Sequence, residues 1–172
     1  MRIALIFSLA LFAGCSTFDR LGNKPYIFPS ESDPHALLTV NQHSDSWFNI
    51  YNMDSNDCFA GTSSLGASGK TSRLQVNKVA YIALEQRSGN SFCRVIVSFT
   101  PEQNMKYTLT QGTLTETSTG LLGAIASPRS YCTVSGGKVL DSGETEPLPL
   151  KKMRILPKGF ACLKMREVPN KN

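Results

Sequence analysis

Residues 79–99 read VAYIALEQRSGNSFCRVIVSF. Two runs rich in β-branched and aromatic residues, Val79–Gln86 and Phe92–Phe99, flank Arg87-Ser88-Gly89-Asn90. Ser-Gly-Asn supplies the turn chemistry of a tight connection, so the stretch predicts a β-hairpin. From residue 37 onward the apolar period is two rather than 3.6, the mark of strands. Met105–Gly112 shows it plainly, with Met105, Tyr107 and Leu109 on one face and Lys106, Thr108 and Thr110 on the other. Leu37–Val40, Trp47–Asn52, Ser72–Val76, Tyr131–Val134 and Phe160–Met165 read as further strands. A short helical turn is expected near Thr119–Ala126, and no stretch offers a long amphipathic helix. Short strands divided by Gly, Pro, Asn and Asp turns suggest a sandwich or a barrel. The expectation adopted is an all-β, disulfide-bonded antiparallel sandwich with little helix, over residues 37–172.

The size agrees with one domain. The chain has 172 residues, 41% of them hydrophobic, enough for a core and too short for a large two-domain enzyme. Its 18 Lys and Arg outnumber 13 Asp and Glu. The excess is concentrated at the end: Lys151, Lys152, Arg154, Lys158, Lys164, Arg166 and Lys171 share the last 22 residues with a single acid, Glu167. Such a run reads first as a solvated face and secondly as a surface for an acidic partner or anionic glycan. No nucleic-acid recognition motif accompanies it.

Residues 1–14, MRIALIFSLALFAG, place Arg2 before an apolar run too short to span a bilayer. The segment has the form of a secretory signal peptide. With Cys15 behind Phe12-Ala13-Gly14, it resembles the lipobox of bacterial lipoproteins, although Phe12 stands where that family usually has Leu. The resemblance implies a lipid-modified Cys15 as first mature residue, and Ser16 after it implies transfer to the outer membrane. Residues 15–36 carry Pro25, Pro29 and Pro34 and read as an extended tether of roughly 70 Å when stretched. Within it, Tyr26, Ile27 and Phe28 are apolar enough to dock.

With Cys15 lipidated, Cys58, Cys93, Cys132 and Cys162 remain, and an even number in an exported domain implies two disulfides. Their spacing matches no zinc pattern, so no metal is expected. Neighbour pairing, Cys58–Cys93 and Cys132–Cys162, is the expectation. The strand Val79–Glu85, the strand Phe92–Phe99 and the Tyr-bearing segment Pro101–Tyr107 resemble the layout of immunoglobulin- or transthyretin-like sandwich domains of small envelope lipoproteins. That resemblance implies a fold and no activity.

The catalytic motifs are near-misses. Ser64–Thr71 resembles a phosphate loop without its first Gly, and Ser135-Gly-Gly-Lys138 lacks the companion motifs of penicillin-binding enzymes in their order. His35 and His43, with Asp33 and Asp45 nearby, show no oriented base, and Glu85, Glu102 and Glu116 carry no distance information. The expectation is therefore no enzyme and no cofactor. Two segments stand out for binding. Gly120–Ala126 puts Leu121, Leu122 and Ile125 inside a Thr/Ser-rich loop, and Trp47 and Tyr51 share one face of a strand whose other face holds Phe48 and Ile50. The functional expectation is an outer-membrane-anchored, non-catalytic binding or assembly module, facing periplasm or cell surface, with an envelope protein as partner. A glycan is the alternative ligand, and an inhibitor of a secreted hydrolase or toxin the alternative role.

Overall fold

The hairpin at residues 79–99 lies at the heart of the larger of two sheets. The computed structural model describes residues 24–89, 91–116, 129–159 and 162–169. Their strands are β1 His35–Asn41, β2 Ser46–Met53, β3 Phe59–Ser64, β4 Thr71–Gln75, β5 Ala80–Ser88, β6 Ser91–Phe99, β7 Lys106–Glu116, β8 Arg129–Val139, β9 Thr145–Pro147, β10 Lys151–Pro157 and β11 Leu163–Glu167. No helix occurs among the described residues. The smaller sheet has the order β4-β1-β7-β8-β9 and the larger β11-β10-β6-β5-β2-β3. Every pairing is antiparallel except β1 with β7, which run parallel with Leu37 beside Lys106. The chain is an all-β sandwich with two disulfides.

Alternation builds the core. Ala36, Leu38 and Val40 of β1, Tyr107 and Leu109 of β7 and Leu74 of β4 face Phe48 and Ile50 of β2, Ile82 and Leu84 of β5 and Val97 and Phe99 of β6. Each fully buried Leu, Ile or Phe contributes about 1.5–3 kcal/mol by leaving water. Tyr107 is 2% exposed. Its ring lies 4.9 Å from that of Phe99, and its hydroxyl accepts the Glu102 N–H at 3.0 Å. A strand tyrosine bonded to backbone a few residues upstream is the tyrosine corner of Greek-key sandwiches.

The larger sheet curls. Its outermost strands, β3 and β11, approach within 8 Å between Cα atoms although four strands separate them in the sheet. Cys58–Cys162 and a 2.6 Å hydrogen bond from Lys164 Nζ to Asn56 O close the seam. The face turned away from the smaller sheet thus becomes concave and holds a second cluster. Tyr51, Ala83 and Ile96 are buried there, with Phe59, Tyr81, Met153 and Met165 packed on them.

The disulfides correct the neighbour pairing. Cys58 joins Cys162, not Cys93, and Cys93 joins Cys132, not Cys162. Cys93 lies on the core face of β6, opposite β8 of the other sheet, so its bond staples sheet to sheet across a Cα separation of 6.2 Å. Cys58 and Cys162 meet because the curl brings together two sheet edges distant in sequence, with Cα atoms 5.1 Å apart.

The tether boundary at residue 36 is corrected as well. Residues 24–34 lie on the body, and β1 starts at His35. The Lys24 N–H donates to Ala60 O at 3.0 Å. Ser63 Oγ donates to Tyr26 O at 3.1 Å, and the Gln75 N–H donates to the Tyr26 hydroxyl at 2.8 Å. Tyr26 packs on the core, as its apolar ring suggests, whereas Ile27 is 77% exposed. Residues 25–30 carry no regular structure, and a turn closed by the Asp33 N–H on Ser30 O at 3.3 Å leads into β1.

Candidate binding surfaces

Two surfaces stand out, one at a cleft and one on a ribbon. The cleft begins where β2 ends. Opposite Asn52 and Met53 the register skips Ala60, a bulge that bends β3, and Asp54 organises the turn between the two strands. Its Oδ1 accepts the N–H groups of Asn56 at 2.8 Å and Cys58 at 2.9 Å. Asp57 takes φ 59°, a left-handed conformation that Asp tolerates better than most residues. The amides of Cys58 and Asn56 hold the Asp54 carboxyl below its usual range, and Lys24 and Lys164 add to the effect.

Between this turn, the start of β5 and the docked segment lies a cleft of about 600 Å³. Tyr26, Tyr51 and Tyr81 supply apolar walls, and Asp54, Asp57 and Lys78 a charged rim. Its volume is in the range of small-ligand sites. Burial raises the phenols of Tyr26, Tyr51 and Tyr81 above their ordinary value. At Tyr26 the Gln75 N–H opposes that rise, and at Tyr81 the Asp57 charge reinforces it. A raised folded-state value means stability that is complete below the unfolded value near 10.0 and lost as pH rises through the folded one. Tyrosinate absorbance of the folded chain should therefore rise later than that of the denatured chain. The unfolding midpoint should fall above about pH 10, less steeply in Tyr26→Phe. Coincident folded and denatured titrations would refute the burial of these phenols.

Trp47 and Tyr51 do share the concave face, and Phe48 and Ile50 the core face, as alternation requires. Tyr51 is not displayed: it is 7% exposed and packs edge-to-face on Phe59 with ring centres 5.4 Å apart. The curl covers it. Trp47 is half-buried four pairs along the strand. Its Nε1–H donates to Glu85 Oε2 at 3.1 Å, Arg87 lies 5.9 Å from its ring centre, and Glu85 is paired with Arg94 at 2.8 Å. The polar edge of Trp47 is thus satisfied internally. The cleft takes Tyr51 as a wall residue, and Trp47 is not among its lining residues.

The second surface lies on the long β7–β8 ribbon. Leu114 and Tyr131 are cross-strand partners near its far end, 52% and 42% exposed, on the face away from the core. They stand at the root of the segment containing Leu121, Leu122 and Ile125. Those three residues, the helical turn expected over Thr119–Ala126 and Cys15 lie outside the described residues. Sequence reading passed over Leu114 and Tyr131 because singly exposed apolar residues carry no signal until register pairs them. Tyr26, Tyr81 and Asp54 were missed because segments distant in the chain assemble their cleft.

Of the catalytic near-misses, His35 is held by its Nδ1 at 2.7 Å from Asp33 O, and the Ser135–Lys138 run lies within β8. Among the described residues no group of three His, Cys, Asp or Glu side chains is placed to hold a metal ion. No family model, curated sequence or solved structure matches the chain.

Proposed function

We propose that this chain is a lipid-anchored, non-catalytic binding module of the bacterial outer membrane that docks an envelope protein through the β7–β8 ribbon. The observation that carries the reading is the exposed Leu114–Tyr131 pair at the root of a loop whose sequence contains Leu121, Leu122 and Ile125. An exposed apolar pair near the end of a two-stranded ribbon, followed in sequence by three further apolar residues, favours a protein partner over free solvent. Two disulfides suit an exported protein, since such bonds persist in oxidising compartments. The signal-like residues 1–14 and Cys15 supply the route and the anchor.

The test is photo-crosslinking in cells from position 115, beside Leu114, in the intact chain and beside Cys15→Ala. A discrete envelope protein should be captured by the anchored form. Leu114→Ser with Tyr131→Ser should lower the yield about tenfold or more, as loss of two buried apolar contacts predicts, with an unchanged melting temperature. Capture of a secreted hydrolase by both anchored and unanchored forms would replace the assembly role with an inhibitory one. Unchanged yield from the double serine variant would overturn the ribbon as the contact.

A further inference from the structure

The basic C-terminal run becomes a surface once strand register is known. Lys152 and Arg154 of β10 alternate onto one face, and Lys164 and Arg166 of β11 onto the same one, because Arg154 pairs with Arg166 and Leu156 with Lys164. Lys152, which pairs with Val97, continues the face that the smaller sheet covers on β6. On β10 and β11 that face is uncovered, and Lys152, Arg154 and Arg166 are exposed. Among the described residues no carboxylate forms an ion pair with Lys152, Arg154, Lys164 or Arg166. The one acid of the segment, Glu167, is paired at 3.1 Å with Lys151 on the opposite, concave side.

Edge protection accounts for Lys164 and Arg166 on the edge strand β11 but not for Lys152 and Arg154. Lysines that guard a sheet edge belong on the edge strand, whereas β10 is an interior strand. Like charges directly opposite on neighbouring strands also destabilise a sheet, and Arg154 stands directly opposite Arg166. An uncompensated cost of this kind points to an anion supplied from outside.

The chain's own route says where that anion lies. Lys24, the first described residue, is bonded to Ala60 of β3, and Lys24 and Lys164 both act on the Asp54 carboxylate. The N-terminal segment therefore joins the body at the β3–β11 seam, next to the basic strands. Nine residue steps separate Lys24 from Cys15, a reach of at most about 30 Å. The basic face is held close to whatever surface holds the anchor.

We propose that the Lys152, Arg154 and Arg166 face lies on the anionic phospholipid surface and acts with the lipid at Cys15 as a second membrane contact. The argument from reach rests on the anchor reading; the charge argument does not. A polybasic patch contributes about fivefold in membrane partition per Lys or Arg near an anionic surface, and stable anchoring draws on two such signals.

The test uses unlipidated chain 16–172. Both apolar clusters and both disulfides lie between Tyr26 and Met165, so this chain retains all that holds the fold. Sedimentation with vesicles of phosphatidylethanolamine and one quarter phosphatidylglycerol should show salt-sensitive binding, absent with phosphatidylcholine. Arg154→Gln with Arg166→Gln should weaken it about 25-fold. Lys70→Gln with Lys106→Gln, an equal charge change away from these strands, should weaken it by far less, and near-ultraviolet circular dichroism should show both variants folded. Equal losses in the two variants, or equal binding to phosphatidylcholine, would overturn the proposal. Capture by a soluble anionic polysaccharide without vesicle binding would overturn it in favour of a glycan. The anchor is read separately, by the mass and membrane fraction of the cellular protein beside Cys15→Ala, so the two ideas fail independently.

Discussion

Replacing Cys58 and Cys162 together by alanine is expected to lower the unfolding free energy by about 4–5 kcal/mol. The bond closes a loop across a sequence separation of 104 residues, and in the chain-entropy account a cross-link of that span removes about 4.7 kcal/mol of freedom from the unfolded state. For a domain of this size that is roughly 10–20 °C in melting temperature. Cys93–Cys132, spanning 39 residues, should cost somewhat less, about 4 kcal/mol.

The two losses should differ in place as well as size. Without Cys58–Cys162 the β3–β11 seam keeps only contacts such as Lys164 to Asn56 O. The concave cluster, with Met153 and Met165 resting on Tyr51 and Ile96, should open first. Amide exchange in β10 and β11 should then accelerate while β1, β5 and β7 stay protected. Without Cys93–Cys132 the two sheets lose their staple, and protection should fall across the whole core. Peptide mapping that recovered Cys58 linked to Cys93, or a Cys58→Ala/Cys162→Ala protein melting within about 3 °C of the parent, would contradict the closed seam.

The ease of reading each element followed how local its cause was. The β5–β6 hairpin declared itself because strand period and turn chemistry lie within 21 consecutive residues, 79–99. β10 did not, because Lys151, Lys152 and Arg154 read as a charge run; its alternation makes sense only when Met153 has a concave face to occupy. β3 hid behind Gly61, Ser63 and Ser64, residues that suit a loop as well as an edge strand. Prolines in residues 24–34 signalled a segment outside the regular strands, but the partners that dock it, Ala60, Ser63 and Gln75, are 36 to 49 positions away. The disulfides failed for the same reason: nearest-neighbour pairing assumes a flat succession of hairpins, and the chain instead passes from sheet to sheet and then curls. Trp47 and Tyr51 were placed on the right face, yet their exposure depends on that curl. Leu121, Leu122 and Ile125 remain sequence observations, to which the structure adds the exposed pair Leu114 and Tyr131 on the strands that flank their segment in sequence.

Tyr107→Ala is expected to cost about 3–5 kcal/mol, the range for emptying a buried aromatic site. The side chain holds more than its own volume. Its ring fills the core beside Phe99, and its hydroxyl fixes the turn that carries β6 into β7. That turn includes the fully buried Pro101, whose carbonyl accepts the Asn77 N–H, and Asn104 at φ 62°, whose N–H reaches His35 O at 3.0 Å. The Leu37 N–H bonds Met105 O at 2.9 Å immediately beyond it. The corner therefore sets β1 against β7, the one parallel pairing among the described residues. Tyr107→Phe separates the two contributions: it keeps the ring and leaves the Glu102 N–H without its acceptor, a loss of about 1–3 kcal/mol. Glu102→Ala, by contrast, removes only an exposed 2.9 Å ion pair to Lys138 and should stay within about 1 kcal/mol of the parent. Denaturant unfolding of the three variants should rank them alanine at 107, phenylalanine at 107, then alanine at 102. A Tyr107→Ala protein within about 1 kcal/mol of the parent would show that β1 finds its place beside β7 without the corner, through the β1–β4 ladder and the buried Leu38 and Val40 alone.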